Sequence, residues 1–576
     1  MLAGPVTAGP TQSVCLVLED KNMNRGRGKE AEYGGWMKKE RQFSRHWGIL
    51  GLGILTLSMV HARIIHVSPD GAATGDGSAG APLASVQSAL DRAQAGDVVL
   101  LAPGVYTEIV TTARGGSPEA PLVIDGQGKA VLWSLTLAHP HVHVQNLTLS
   151  GMTNRYRALL YFERGAHYCV ASNNIIDPAF TRDVYAVSWR GPATKPFGAD
   201  AASYNLLISN VIRRSIGNPM VTVMGDGNVI YGNRLLDGAV VDFFRLFGRS
   251  NIIAANLCSN NFPLPGVNNH PDFIQTFGNN GHGSMGHVID GNWVIGVWSG
   301  QLTQLSSDRL SDVIRDWTFR NNVFIDIALQ ASCTIPEVKY FNNLFLRCNT
   351  TNGGHALNFG SRGYDISNAP PGSLVAGLEY VVRTNGSGDG TGYIVYEGRP
   401  YRAGERFVAN AEREYVAVGD AVVWLRLYDS AHGALVFNNV FIDCGDARTN
   451  VGWYGFATNL VNVAADYNFV AKSGFKPVRI DPQMRPVGDP RGWDWVSMYW
   501  WEPHGINGGD PGFVDLAAWR FELMPESPLV GAGTNLSKWF QTDALGRRRA
   551  GVWDIGPYAA VTTTRPVPPS GLRIVK

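Results

Sequence analysis

Net charge and cysteine are scarce in this chain of 576 residues. Lys and Arg number 49 against 48 Asp and Glu, a formal charge of +1, so no global field draws the chain to nucleic acid or to an anionic membrane. A polyanion would have to be held in a local cleft. The six cysteines (positions 15, 169, 258, 333, 348 and 444) show no CxxC and no metal-ligand spacing, so they build no zinc module and nothing demands disulfides. Long apolar runs are missing as well. The stretch Trp47–Val60 has about 14 residues against the ~20 that a spanning helix needs. Lysine is absent between Lys195 and Lys339.

What the chain does have is repetition. Residues 240–307 read as three turns of one unit, each with a short polar-apolar strand (DFFRLF, DFIQTF, QLTQLS). In the first and third turns a second strand ends at an asparagine followed by an apolar residue. This pattern predicts a solenoid, which grows by adding turns and escapes the size limit of a single core. The asparagine step recurs at Asn174, Asn210, Asn233, Asn256, Asn292, Asn322, Asn343, Asn439 and Asn468, the first six intervals being 36, 23, 23, 36, 30 and 21 residues. The shorter intervals approach one bare coil and the longer ones carry loops. An inward asparagine bonds its counterparts above and below, so we read these residues as structural. Cys258, Cys348 and Cys444 follow the steps at similar offsets and read as small buried hydrophobes.

Taken in order, residues 1–36 lack apolar periodicity and precede Met37. Residues 37–62 have the basic start, apolar run and Val60-His61-Ala62 end of a secretory signal peptide, which predicts a secreted or periplasmic protein with no membrane association after cleavage. Leu83 to Ala95 has helical periodicity and ends at Gly96, while Val98 to Leu101 is a buried strand closed by Pro103-Gly104. A lone amphipathic helix before the first strand predicts a cap over the solenoid end. PLASVQSALDRAQAGDVVLLAPGVYTE, followed by GGSPEAPLVIDGQG, resembles the opening of secreted right-handed parallel β-helix proteins of the pectin-lyase-like group, which includes pectate lyases, chondroitinase B and alginate lyases. The end of the chain, GGDPGFVDLAAWRFELMPESPLVGAGTN and DALGRRRAGVWDIGPYA, resembles the closure of the same proteins. The resemblance implies an all-β, single-stranded right-handed parallel β-helix over residues 63–371 and 429–576. Alternating strands with Asn-Gly and Glu-Gly turns mark 372–428 as a small inserted β module. A tryptophan-rich segment around Trp493, Trp495, Trp500 and Trp501 reads as a wall of a sugar cleft or a lid.

The chemistry is expected near the HPDFIQ strand, which the insertions Phe262 to Asn269 and Asn279 to Met285 flank. Setting the turns in register puts Asp242 beside Asp272 and Gln301, and Arg245 beside Gln275 and Gln304. With sixteen Trp and twenty Tyr, flat rings are available to stack on pyranose faces, Trp298 among them. Elimination from a uronate polymer needs a neutraliser for the C5 carboxylate, a base for the C5 proton and an acid for the leaving oxygen. Arg245 and Arg249 can clamp the carboxylate, and His270 is the natural proton acceptor. Asp242 and Asp272 either orient His270 or together bind a Ca²⁺. Gln275, Gln301, Gln304 and Asp308 would read sugar hydroxyls. Relatives of chondroitinase B use a lysine and an arginine, and the lysine-free stretch departs from that pattern. The expected function is a monomeric lyase acting on an acidic polysaccharide. The alternatives are a hydrolase using the paired aspartates, an epimerase, and a glycan binder without turnover, such as an adhesin or tail-spike-like protein.

Overall fold

A computed structural model describes residues 62–560, apart from 268–270, 279–280, 308–312, 351–354, most of 367–378, 411–413, 446–452, 457–459, 461, 472–501 and 503, together with the backbone of 15–16 and 574–575. The chain divides into two compact units, residues 62–565 and residues 1–61 with 566–576. In the second unit Cys15–Leu16 pairs antiparallel with Ile574–Val575. Residues 37–61 of the expected signal peptide, the tryptophan-rich stretch 493–501, His270 and Asp308 lie outside the described residues.

Residues 62–565 form a parallel β-helix. Most coils contribute one strand to each of three sheets, here A, B and C, whose successive strands stack in parallel register. Sheet A holds 13 strands, from Ile64–Ala72 to Ala464–Asp466. Sheet B runs from Gly104–Thr111 to Ile506–Asn507. Sheet C runs from Ala158–Phe162 to Tyr454–Phe456 and joins sheet B through the long strand Ala130–Leu137. Short strands alternate buried and half-exposed residues, as in Val98–Leu101, because one face of every coil turns inward. Inside, like residues stack on like: Phe345 on Phe441 and Phe359 on Phe456, each with ring centroids 4.7 Å apart.

The asparagine steps form a ladder. Each ladder Oδ1 accepts the backbone N–H and the Nδ2 of the asparagine one coil earlier, at 2.8–3.0 Å, from Asn174 to Asn468. The residue before each rung turns the corner at positive φ, as Asn173 (56°), Asn321 (55°) and Asn438 (58°) do, a conformation that asparagine and glycine adopt at least cost. Glu502 terminates the ladder. Its two oxygens accept Asn468 N (3.0 Å) and Asn468 Nδ2 (2.6 Å), and Tyr454 Oη donates to it at 2.7 Å.

A second ladder, which the sequence reading does not identify, runs five residues upstream. Asn205, Asn228 and Asn251 repeat the same bonds, and His287 Nδ1 takes the fourth rung by accepting Asn251 N at 3.1 Å. Burial lowers the His287 pKa to about 3, so the ring stays neutral and can serve as an acceptor. Cys169, Cys258, Cys333, Cys348 and Cys444 are buried and form no disulfide.

The helix Val86–Arg92 is capped by Ser85, whose side chain accepts Ser88 N, and buries Val86, Ala89 and Leu90 over the first coil. At the other end the chain doubles back along the solenoid. Phe513, Phe521, Leu523, Ile555 and Tyr558 pack on the outer side of sheet B against Val323, Leu344, Val440 and Phe469. Leu536, Phe540 and Trp553 cover Phe341 of sheet A. The tail thus covers part of the outer faces of sheets A and B over the later coils. Antiparallel strands with their own core, including Tyr380, Ile394, Tyr396 and Phe407, leave the solenoid after Leu357–Phe359 and return at Ala431, whose N–H bonds Gly360 O at 3.1 Å. These strands begin at Ser361 and end at Ser430, wider than the 372–428 expected, because the first and last of them pair with each other.

Candidate functional site

Sheet C presents one outward side chain from the middle of each short strand. In Phe244–Leu246 the apolar residues Phe244 and Leu246 point in and Arg245 points out. Register carries this position from coil to coil: Tyr161, Ser188, Thr222, Arg245, Gln275, Gln304, Ser332 and Asn358 form a single column. Successive members are separated by one strand spacing, about 4.8 Å. Gln275 Nε2 donates to Gln304 Oε1 at 2.9 Å, and the Arg245 guanidinium lies 5.5 Å from the Phe277 ring centroid.

Beside Arg245 the corner that leads into sheet C opens into a depression of about 190 Å³, lined by Gly217, Asn218, Pro219, Val240, Val241, Asp242, Arg245, Pro271 and Gln275. Arg245 is fixed there by Asp242, with Nε donating to Oδ2 at 2.6 Å. Gly300 makes the wall possible. A Cβ on it would lie 1.3 Å from Pro271 O.

Several expected residues take other roles. Asp242, Asp272 and Gln301 do stack, but as a carboxylate ladder. Asp242 Oδ1 accepts Asp272 N at 3.0 Å, and Asp272 Oδ1 accepts Gln301 N at 3.1 Å. Asp272 is fully buried, so a catalytic role for it, and the hydrolase reading that pairs it with Asp242, are corrected: a carboxylate 0% exposed does not reach a glycosidic oxygen. Phe273 and Ile274 are both buried, and the bend between them turns Asp272 inward and Gln275 outward. The two aspartates expected to hold a Ca²⁺ are already engaged within the fold. Calcium takes about six to eight oxygens, whereas Oδ1 of both aspartates holds a backbone N–H and Asp242 Oδ2 holds Arg245. No group of three or more His, Cys, Asp or Glu side chains suited to a metal occurs among the described residues.

Arg249 does not join Arg245. The chain turns at Gly248 (φ 83°) into a different strand, Gly248–Arg249, where Arg249 Nε donates to Asp226 Oδ2 at 2.9 Å and the guanidinium covers the Phe197 ring at 4.9 Å. The two-arginine clamp is therefore corrected to one arginine. Gln301 sits at the end of the sheet B strand Trp293–Gln301, off the column, while Gln304 lies on it. Trp298 is 54% exposed. His282 is buried against Gly191, and burial, with Lys195 and Arg164 nearby, lowers its pKa to about 4. Lys195, absent from the expected site, is thus close to His282. The outward column itself is readable from strand alternation, but this loop contact is not.

No family model matches the chain, and no curated protein matches it. Among solved structures it is similar to pectate lyase Pel9A at 13% identity, covering 87% of this chain and 96% of that one with a TM-score of 0.41. It is also similar to XylC in complex with xylose (10% identity, 86% and 98% covered, TM-score 0.43). A third is the PL6 family polysaccharide lyase Pedsa3628 from Pseudopedobacter saltans (16% identity, 68% and 83% covered, TM-score 0.39). Among the described residues no helix is long and apolar enough to cross a membrane.

Proposed function

We propose that this chain is a secreted polysaccharide lyase that lays an acidic glycan along the outward column of sheet C and cleaves it by β-elimination beside Arg245. The observation that carries the reading is the column itself: Ser188, Thr222, Gln275, Gln304, Ser332 and Asn358 supply hydroxyl and amide groups on either side of one fixed guanidinium. Strand spacing of about 4.8 Å suits an extended sugar chain, and hydroxyl and amide side chains both donate to and accept from sugar hydroxyls.

Arg245 would neutralise the C5 carboxylate and so acidify the C5 proton. His270, which immediately precedes the wall residue Pro271, would take that proton. The electron pair forms the C4–C5 double bond, the C4–O bond breaks, and the departing oxygen takes a proton from water. The Asp242–Arg245 bond holds the cation in place before substrate arrives. The test is ultraviolet absorbance of the unsaturated uronate across alginate, pectate, glycosaminoglycans and bacterial exopolysaccharides. The reading expects the chromophore on one acidic polymer, with His270→Ala losing product but keeping binding. Reducing ends without the chromophore would make the protein a hydrolase, and binding without product a glycan reader.

A further inference from the structure

At the corner where a coil leaves sheet B, the residue after a positive-φ bend is buried in the solenoid core, and register stacks Val297, Ile327 and Cys348 at this position. Leu346 pairs with Ile442, Arg347 and Asp443 both bend at positive φ (53° and 50°), and Gly445 N donates to Cys348 O at 2.8 Å, so Cys444 takes the next place after Cys348. Each Sγ donates to a carbonyl one coil earlier, Cys348 to Phe324 O at 3.6 Å and Cys444 to Phe345 O at 3.4 Å, and those two phenylalanines are themselves register partners. The two side chains therefore leave equivalent corners in the same direction, close enough for their thiols to hydrogen-bond. One strand spacing, about 4.8 Å, lies within the separation of about 4.4–6.8 Å that the Cα atoms of a disulfide span.

Among the described residues no other two cysteines share a column. Cys258 has Leu235 and Val294 as register partners, Cys333 has Leu305 and Phe359, and Cys169 lies beside Asn205. The stacked pair also brackets the inserted module: the antiparallel strands from Ser361 to Ser430 leave the solenoid and return between Cys348 and Cys444. A covalent link at this corner closes the base from which the module extends.

Resting on the reading of the chain as secreted, we propose that Cys348 and Cys444, separate thiols in this structure, are a disulfide site oxidised during export, which ties the coil before the inserted module to the coil after it. Disulfides form and persist in the oxidising compartments such a chain enters. The thiolate of one cysteine attacks an oxidant disulfide, giving a mixed disulfide and releasing one thiol. The thiolate of the other cysteine then displaces the second thiol, so two protein thiols are oxidised and one oxidant disulfide is reduced. Burial, with Cys444 alongside, pushes the Cys348 thiol well above its ordinary range. Exchange therefore takes place before the two coils close, and the closed coils shield the bond afterwards.

The full chain is exported to a bacterial periplasm, purified without reductant, and alkylated in denaturant before and after reduction. The proposal expects two fewer alkylated thiols before reduction than after it, and a peptide map in which one linked pair carries Cys348 and Cys444. In Cys348→Ala, Cys444 should be alkylated without reduction, and reductant should lower the urea midpoint of the wild-type chain but not of this variant. Equal alkylation before and after reduction overturns the proposal, as does a link that joins Cys169, Cys258 or Cys333 instead. Thiols are counted in denaturant, so the count stands whether or not the variant folds. Export is imposed by the experiment, so a missing bond counts against the pair and not against the secretion reading.

Discussion

Replacing Asn256 by alanine isolates what one rung of the main ladder contributes. Its Oδ1 accepts Asn233 N at 2.9 Å and Asn233 Nδ2 at 3.0 Å, and its Nδ2 donates to Ile230 O and to Asn292 Oδ1, each at 2.9 Å. In Asn256→Ala the Asn233 side chain keeps Leu207 O and Tyr231 O, but the Asn233 backbone N–H loses its acceptor inside a fully buried corner. An orphaned buried N–H costs about 1–3 kcal/mol and the lost bond to Ile230 about 1 more, so a loss of about 2–4 kcal/mol is expected. Urea unfolding followed by circular dichroism reads it as a lower midpoint at unchanged slope. Asn256→Asp sharpens the test. It keeps the acceptor for Asn233 N–H but turns an oxygen toward Ile230 O and Asn292 Oδ1. The buried carboxyl then prefers its protonated form, so its pKa in the fold rises above the unfolded value. The variant should be nearly as stable as the alanine variant at pH 4 and clearly worse at pH 7. An Asn256→Ala midpoint equal to wild type would refute the ladder as a source of stability.

Further outcomes follow from the same contacts. Burial raises the Glu502 pKa from 4.5 to about 7, with Asp466 adding to the rise and the Tyr454 and Asn468 hydrogen bonds opposing it. The fold therefore holds a proton that the unfolded chain releases. The stability Glu502 contributes is full below pH 4.5 and falls by about 3 kcal/mol as pH rises to 7; thermal melts across this range should flatten in Glu502→Gln. Gly300→Ala forces Pro271 away and should lower both melting temperature and glycan affinity, whereas Gly80→Ala, with open space around it, should change neither. Asp242→Asn should weaken glycan binding by freeing Arg245, measured by calorimetry, with far-ultraviolet circular dichroism unchanged.

The solenoid was legible because its signals are local and repeated. Asparagine steps near 23 residues, the apolar alternation of Val98–Leu101 and the helix near its start each specify an element without reference to distant chain. The second ladder had a signal too: NLLISN, NVIYGN, NIIAAN and HVIDGN all place a polar residue five positions before a known rung. It went unread because histidine replaces asparagine in the fourth. At the site, alternation identified Arg245, Gln275 and Gln304 as outward neighbours. The same pattern could not identify Asp272 as inward, because a bend between two consecutive buried aromatic and aliphatic residues breaks alternation there. Arg249 lies only four residues past Arg245, yet the positive-φ turn at Gly248 sends it to another wall. Sequence proximity does not survive such a corner.

Activation of a uronate by one guanidinium on sheet C is tested directly by the rate of unsaturated-uronate formation by Arg245→Ala on the polymer the wild-type chain degrades. kcat should drop about a hundred- to a thousandfold, the usual cost of removing one preorganised charge-stabilising donor, with the fold intact by circular dichroism. An Arg245→Ala enzyme that releases the chromophore at the wild-type rate would contradict it.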